Sequence, residues 1–147
     1  MPLRVKLSNS AFDPETGIST VTVKTKRGTY TGVAKIHPDD KEIQSKYTGL
    51  RIAEMKAARK AYKDELKREK TILHTIERMT KDITHNVCDR SYDEYLIMRA
   101  VRLRLHFMTE YHKKNINCLE GWIESINHSL EDNKKHLQQI KEKRSKK

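Results

Sequence analysis

Apolar residues alternate with polar ones at the start of the chain and recur every three or four residues further on. Leu3, Val5 and Leu7 alternate with Arg4 and Lys6, and a second run rich in β-branched residues opens at Ile18 and alternates through Val21 and Val23. Residues 8–17 between them are turn formers, punctuated by Asp13-Pro14 and Thr16-Gly17. Arg27-Gly28 marks a tight turn, followed by a third run over residues 29–36. This period of two predicts a three-stranded antiparallel meander over residues 2–37, a sheet small enough to need something packed on one face. Pro38 stops the ladder because it has no N–H. Asp39 and Glu42 have the spacing of a capping box, which predicts a turn or short helix over residues 38–48.

The remainder, residues 49–142, carries the helical period. Gly49 is the expected entrance to a first helix ending near residue 85, with an apolar stripe of Met55, Ala58, Tyr62, Leu66, Leu73, Ile76 and Ile83. Ser91 and Glu94 form a capping box that opens a second helix over residues 91–142. Its stripe runs through Leu105, Met108, His112, Ile116, Leu119, Ile123, Ile126, Leu130, Asn133, Leu137 and Ile140, in steps of three or four. The stripe resembles a heptad seam in which His112 and Asn133 are polar, register-setting interruptions. Asn115, Asn117 and Gly121 leave open whether this is one helix or two. Residues 143–147 read as a frayed basic tail. The expected fold class is α+β: a small N-terminal antiparallel sheet packed on a long antiparallel helical hairpin with a coiled-coil-like C-terminal helix. The length of the second seam further predicts a homo-oligomer formed through residues 105–140.

Composition sharpens this picture. Hydrophobic and charged residues each make up 35% of the 147-residue chain, a low apolar share that suits long helices with much exposed surface. The net charge is +11, with the excess spread over both ends, and a field of this sign attracts nucleotides, nucleic acids or acidic proteins. Two cysteines, Cys88 and Cys118, make no disulfide framework. No apolar run is long enough for a signal core or a membrane span. These features predict an intracellular, cytoplasmic protein without membrane partners.

Candidate chemistry is sparse. The five glycines are scattered and form no phosphate loop, and no serine stands in a nucleophile elbow, so no enzyme and no cofactor is expected. Asp39 and Asp40 read as a cap or turn. His85 and Cys88, even with Cys118 and His128 as an imagined second half, have too loose a spacing for a zinc site, and no metal is expected. Glu65, Glu69 and Lys70 read as solvated surface pairs, and Lys56, Arg59, Lys60, Lys63, Lys67 and Lys70 as an ordinary charged face. Arg99, Arg102 and Arg104 form a fork-rich patch suited to phosphate or carboxylate. Joined by Arg27 and Lys35 from the sheet, they are the expected anion site, although the same arginines also suit salt bridges to a neighbouring helix.

Residues 32–59 carry a further pattern: Gly32, Ala34, His37, Pro38, Asp39 and Asp40, then Gly49, Ala53, Ala57 and Arg59. It resembles a pattern in small phage and prophage proteins of Gram-positive bacteria. The resemblance implies a phage-encoded anti-defence binding protein in the host cytoplasm, sequestering a nucleotide signal or blocking a host defence protein; a basic nucleic-acid-binding accessory protein is the alternative. The motif also has a packing reading. Gly32 and Ala34 leave room for a helix or ligand against the sheet, Ala53 and Ala57 let the first helix approach that face, and Gly49 supplies a backbone angle that other residues avoid.

Overall fold

The computed structural model describes residues 3–36, 46–85 and 91–147. Strands β1 (Lys6–Asp13), β2 (Ile18–Thr25) and β3 (Gly28–Lys35) form an antiparallel sheet in the order β1-β2-β3. Helices α1 (Lys46–His85) and α2 (Tyr92–Ser145) follow. The protein is therefore α+β, as the change of hydrophobic period predicts.

The first strand departs from the expected boundaries. Residues 8–13, read as a turn, pair with β2 from Asn9↔Thr22 to Asp13↔Ile18, and only residues 14–17 turn. A bulge between Leu7 and Asn9 breaks the alternation. Leu3 and Leu7 both precede it; Leu3 is buried, while Leu7, opposite Val23 on the edge strand, is exposed. A bulge adds one residue to one strand and so reverses which face the following side chains take.

One face of the sheet carries Val21, Val23 and Ala34 against Ala53 and Ala57 of α1, with Val5, Tyr30, Leu50 and Ile52 at the margins. Gly32 is the closest approach. A Cβ there would lie 1.9 Å from the carbonyl oxygen of Ala53 and 2.6 Å from the amide nitrogen of Ala57. The packing reading of Gly32, Ala34, Ala53 and Ala57 therefore holds, and it is the helix backbone that fills the space. Gly49 needs a different explanation. It lies inside α1 and is not among the positive-φ glycines. A Cβ there would meet Ser19 Oγ at 2.6 Å, so the constraint is steric rather than conformational.

α1 begins at Lys46, before the expected entrance, and is buried on two adjacent faces. Ala53, Ala57 and Ala61 are fully buried toward the sheet. The stripe through Tyr62, Leu66, Leu73 and Ile76 meets α2, with Tyr62 and Trp122 ring centroids 5.1 Å apart. Glu65 and Glu69, read as surface charges, are buried. They sit at positions where α1 turns toward its neighbours: Glu65 accepts from Arg27 Nε at 3.4 Å, and Glu69 pairs with His112 Nδ1 at 2.5 Å.

α2 is one continuous helix, and the open question over Gly121 resolves that way: a Cβ there meets nothing within 4 Å. Ser91 caps it, its hydroxyl accepting from the Glu94 amide at 3.3 Å. The helix runs through residues 143–145, which were expected to fray. Leu105, Ile116, Leu119 and Ile123 of its heptad seam are buried, and α1 is what covers them. His112 is likewise an intrachain partner of Glu69 rather than an interruption facing a second copy. No helix among the described residues is long and apolar enough to cross a membrane.

Candidate functional site: a basic groove between sheet and hairpin

α1 packs on the sheet with one face and on α2 with the other, while α2 and the sheet make no comparable contact. The middle helix therefore holds them apart. At the end where β3 leaves the sheet, the gap forms a groove of about 640 Å³ lined by the end of β3, the first half of α1 and the last third of α2. Its apolar wall is Ala34, Ile36, Ile52, Leu130 and Leu137. Its charges are Lys35, Lys56, Arg59 and Lys134, opposed by Glu131.

Each cation is placed by a different element. Lys35 ends β3 on the exposed side of the strand. Lys56 and Arg59 are three residues apart on α1, beside the Ala53 and Ala57 contact, so the small residues that bring α1 onto the sheet also bring this basic pair to the groove. Lys56 Nζ donates to the Val33 carbonyl at 3.3 Å, and Lys60 Nζ to the Thr31 carbonyl at 2.7 Å. Both carbonyls belong to an edge strand, where the lysines satisfy acceptors that a further strand would otherwise seek. Arg59 Nη1 donates to Asn127 Oδ1 at 2.8 Å. That bond orients the guanidinium and leaves its other N–H groups as donors.

Arg27, Arg99, Arg102 and Arg104 of the expected anion site lie outside this groove. Arg27 is at the opposite end of β3, paired with Glu65. Arg102 is half-buried on the α1-facing side of α2, its Nε enclosed without a hydrogen-bond partner. Arg99 and Arg104 are exposed on other faces of the helix. Glu65 and Arg102 lie on turns of the hairpin separated by roughly 20 Å at 1.5 Å rise per residue, so the fold does not gather the five within one chain. Of the five, the groove includes Lys35 alone.

Lys56 and Arg59 were hidden in the sequence among six basic residues of similar spacing. What distinguishes them is the register of α1 against β3 and α2, and the spacing of charges along one helix does not contain it. Lys134, Asn127 and Asn133 carry no sequence signal for a site.

Asp39, Asp40 and the capping box at Asp39 and Glu42 lie outside the described residues, as do Cys88 and the side chain of His85. Among the described residues no group of three or more His, Cys, Asp or Glu side chains is placed to hold a metal. Comparison of the chain with protein-family models, curated proteins and solved structures found no match.

Proposed function

We propose that the protein is a non-catalytic binding protein that holds a phosphate-bearing nucleotide in the basic groove. The observation that carries this reading is the combination of four cations with an apolar wall in a volume of about 640 Å³, within the ~300–1,000 Å³ range of small-molecule sites. Arg59, Lys56, Lys134 and Lys35 supply charge-assisted donors for phosphate. Ile36, Ile52, Leu130 and Leu137 offer a surface for a base, and Asn127 and Asn133 supply amides that both donate and accept. In the setting implied by the phage-protein resemblance, such a protein would sequester a nucleotide signal of host defence.

The test is a panel of mono- and dinucleotides, read by thermal shift and calorimetry. A bound nucleotide at 100 times its Kd should stabilise the fold by about 2.7 kcal/mol, and Arg59→Ala or Lys134→Ala should remove that shift. Arg99→Ala with Arg102→Ala should leave it in place. A panel without a hit, or a hit that survives Arg59→Ala with Lys134→Ala, would overturn the proposal. The net charge of +11 favours a second reading, a nucleic-acid-binding accessory protein. Its signature is duplex affinity falling steeply with salt, because phosphate contacts release counterions.

A further inference from the structure

On α2, the side chains of Leu96, Ala100, Leu103, Phe107 and Tyr111 recur in steps of four and three and are exposed, with Leu103 56%, Phe107 63% and Tyr111 60% accessible. This stripe lies on the far side of the helix from the seam through Arg102, Leu105, Thr109 and His112 that α1 covers. Ala100, Leu103, Arg104, Phe107, Met108 and Tyr111 line a shallow hollow of about 360 Å³. These six residues make two successive sets spaced i, i+3, i+4, i+7: residues 100, 103, 104 and 107, then 104, 107, 108 and 111. Four residues with that spacing form the hole that receives a knob from a facing helix in a coiled coil. The protein therefore has two empty holes next to two exposed apolar knobs, Leu103 and Phe107.

We infer that α2 pairs with α2 of a second copy of this chain, antiparallel about a two-fold axis beside residue 105. In that register Phe107 of the partner subunit enters the first hole and Leu103 of the partner subunit enters the second. The two-fold then repeats both contacts, as an isologous interface requires. The charges select the same register. Arg99 and Glu110 lie on one flank of the stripe, three helical turns apart and thus roughly 16 Å from each other within a chain. Arg99 has no ionic partner among the described residues, and Glu110 has Lys113 at 3.8 Å. Across the axis, Arg99 meets Glu110 of the partner subunit and Glu110 meets Arg99 of the partner subunit. Asp93 comes within reach of Lys114 of the partner subunit. Arg104 lies at the rim of the hole beside the axis, exposed, with its guanidinium able to extend into solvent. The pairing replaces the sequence expectation of self-association through residues 105–140 with a different face of the same helix, and it does not rest on the groove's ligand.

The experiment is sedimentation equilibrium on the full chain from about 1 to 100 µM, the range in which affinities of roughly −7 kcal/mol or tighter are resolved. A dimer is expected. Phe107→Asp should give a monomer with an unchanged circular dichroism spectrum, because the side chain is exposed. Arg99→Glu and Glu110→Arg should each weaken the dimer about tenfold or more. Mixing these two variants should restore it as a heterodimer, since both pairs between positions 99 and 110 across the axis are then opposite in charge. A monomer at all concentrations, a dimer indifferent to Phe107→Asp, or variants that fail to rescue each other on mixing would each overturn the inference.

Discussion

Tyr30 donates its hydroxyl hydrogen to Asp64 Oδ2 across the sheet–helix contact at 2.5 Å, and this bond pushes the phenol up to about 12 from its ordinary 10.0. The folded state thus holds the proton more tightly than the unfolded chain. The associated stability is full below pH 10 and is lost as pH rises through about 12. Alkaline difference spectroscopy should show one tyrosine titrating last, and Tyr30→Phe should remove that phase along with part of the steep loss of stability above pH 10. Glu69 and His112 make the second test at this scale. The side chains are 7% and 14% exposed, so truncating the histidine leaves a buried carboxylate alone. His112→Ala should cost on the order of 3 kcal/mol in denaturant unfolding, and the double variant Glu69→Leu, His112→Leu much less. Neither pairing was legible in the sequence. Glu65 and Glu69 share i,i+4 surroundings with ordinary surface charges, and only the hairpin register shows that they point inward. Gly32 with Ala53 and Ala57 was legible, because small residues at sheet and helix periods imply close approach whatever the register.

Among the elements, the helices were the most legible and the first strand the least. A seam in steps of three and four over α2 allows one face and one conformation, and Ser91 with Glu94 marks where it starts. β1 offers no such signal: its residues 8–10 are polar, all of residues 8–13 except the half-buried Phe12 are exposed, and it is mainly the backbone ladder with β2 that makes them a strand. What the seam did not reveal was its partner. Apolar periodicity states that a face is covered, and α1 of the same chain covers Leu105, Ile116, Leu119 and Ile123 of it. Gly121 lies exposed on α2 with open space where a Cβ would go. Gly121→Ala should therefore stabilise the protein by about 0.5–1 kcal/mol, since the backbone entropy lost by glycine in a helix is avoided without a clash. Urea unfolding measures it, and a destabilised variant would mean that α2 does not keep its helical course there.

The whole molecule is a sheet at one end of a long hairpin, and the candidate site is the angle where the two part. The basic groove could not be read in advance because it belongs to three segments, near residues 35, 56 and 134, that only the tertiary arrangement brings together. Opposing Arg59→Glu and Arg99→Glu on nucleotide affinity separates this geometry from a merely basic surface. The groove variant should lose binding and the remote one should keep it. The sheet reaches α1 only along its first half, from Gly32 against Ala53 and Ala57 to Arg27 against Glu65. Beyond Glu65, among the described residues, α1 has α2 alone for support. A hairpin clamped at one end and free at the other opens as a zip does, from the unclamped end. Amide hydrogen exchange should accordingly be slowest over residues 53–65 and 116–126, and grow faster along both helices toward residues 85 and 91. A nucleotide seated beside Arg59 would bind where the backbone is already rigid, and a second chain on Phe107 would slow exchange where a lone molecule breathes most.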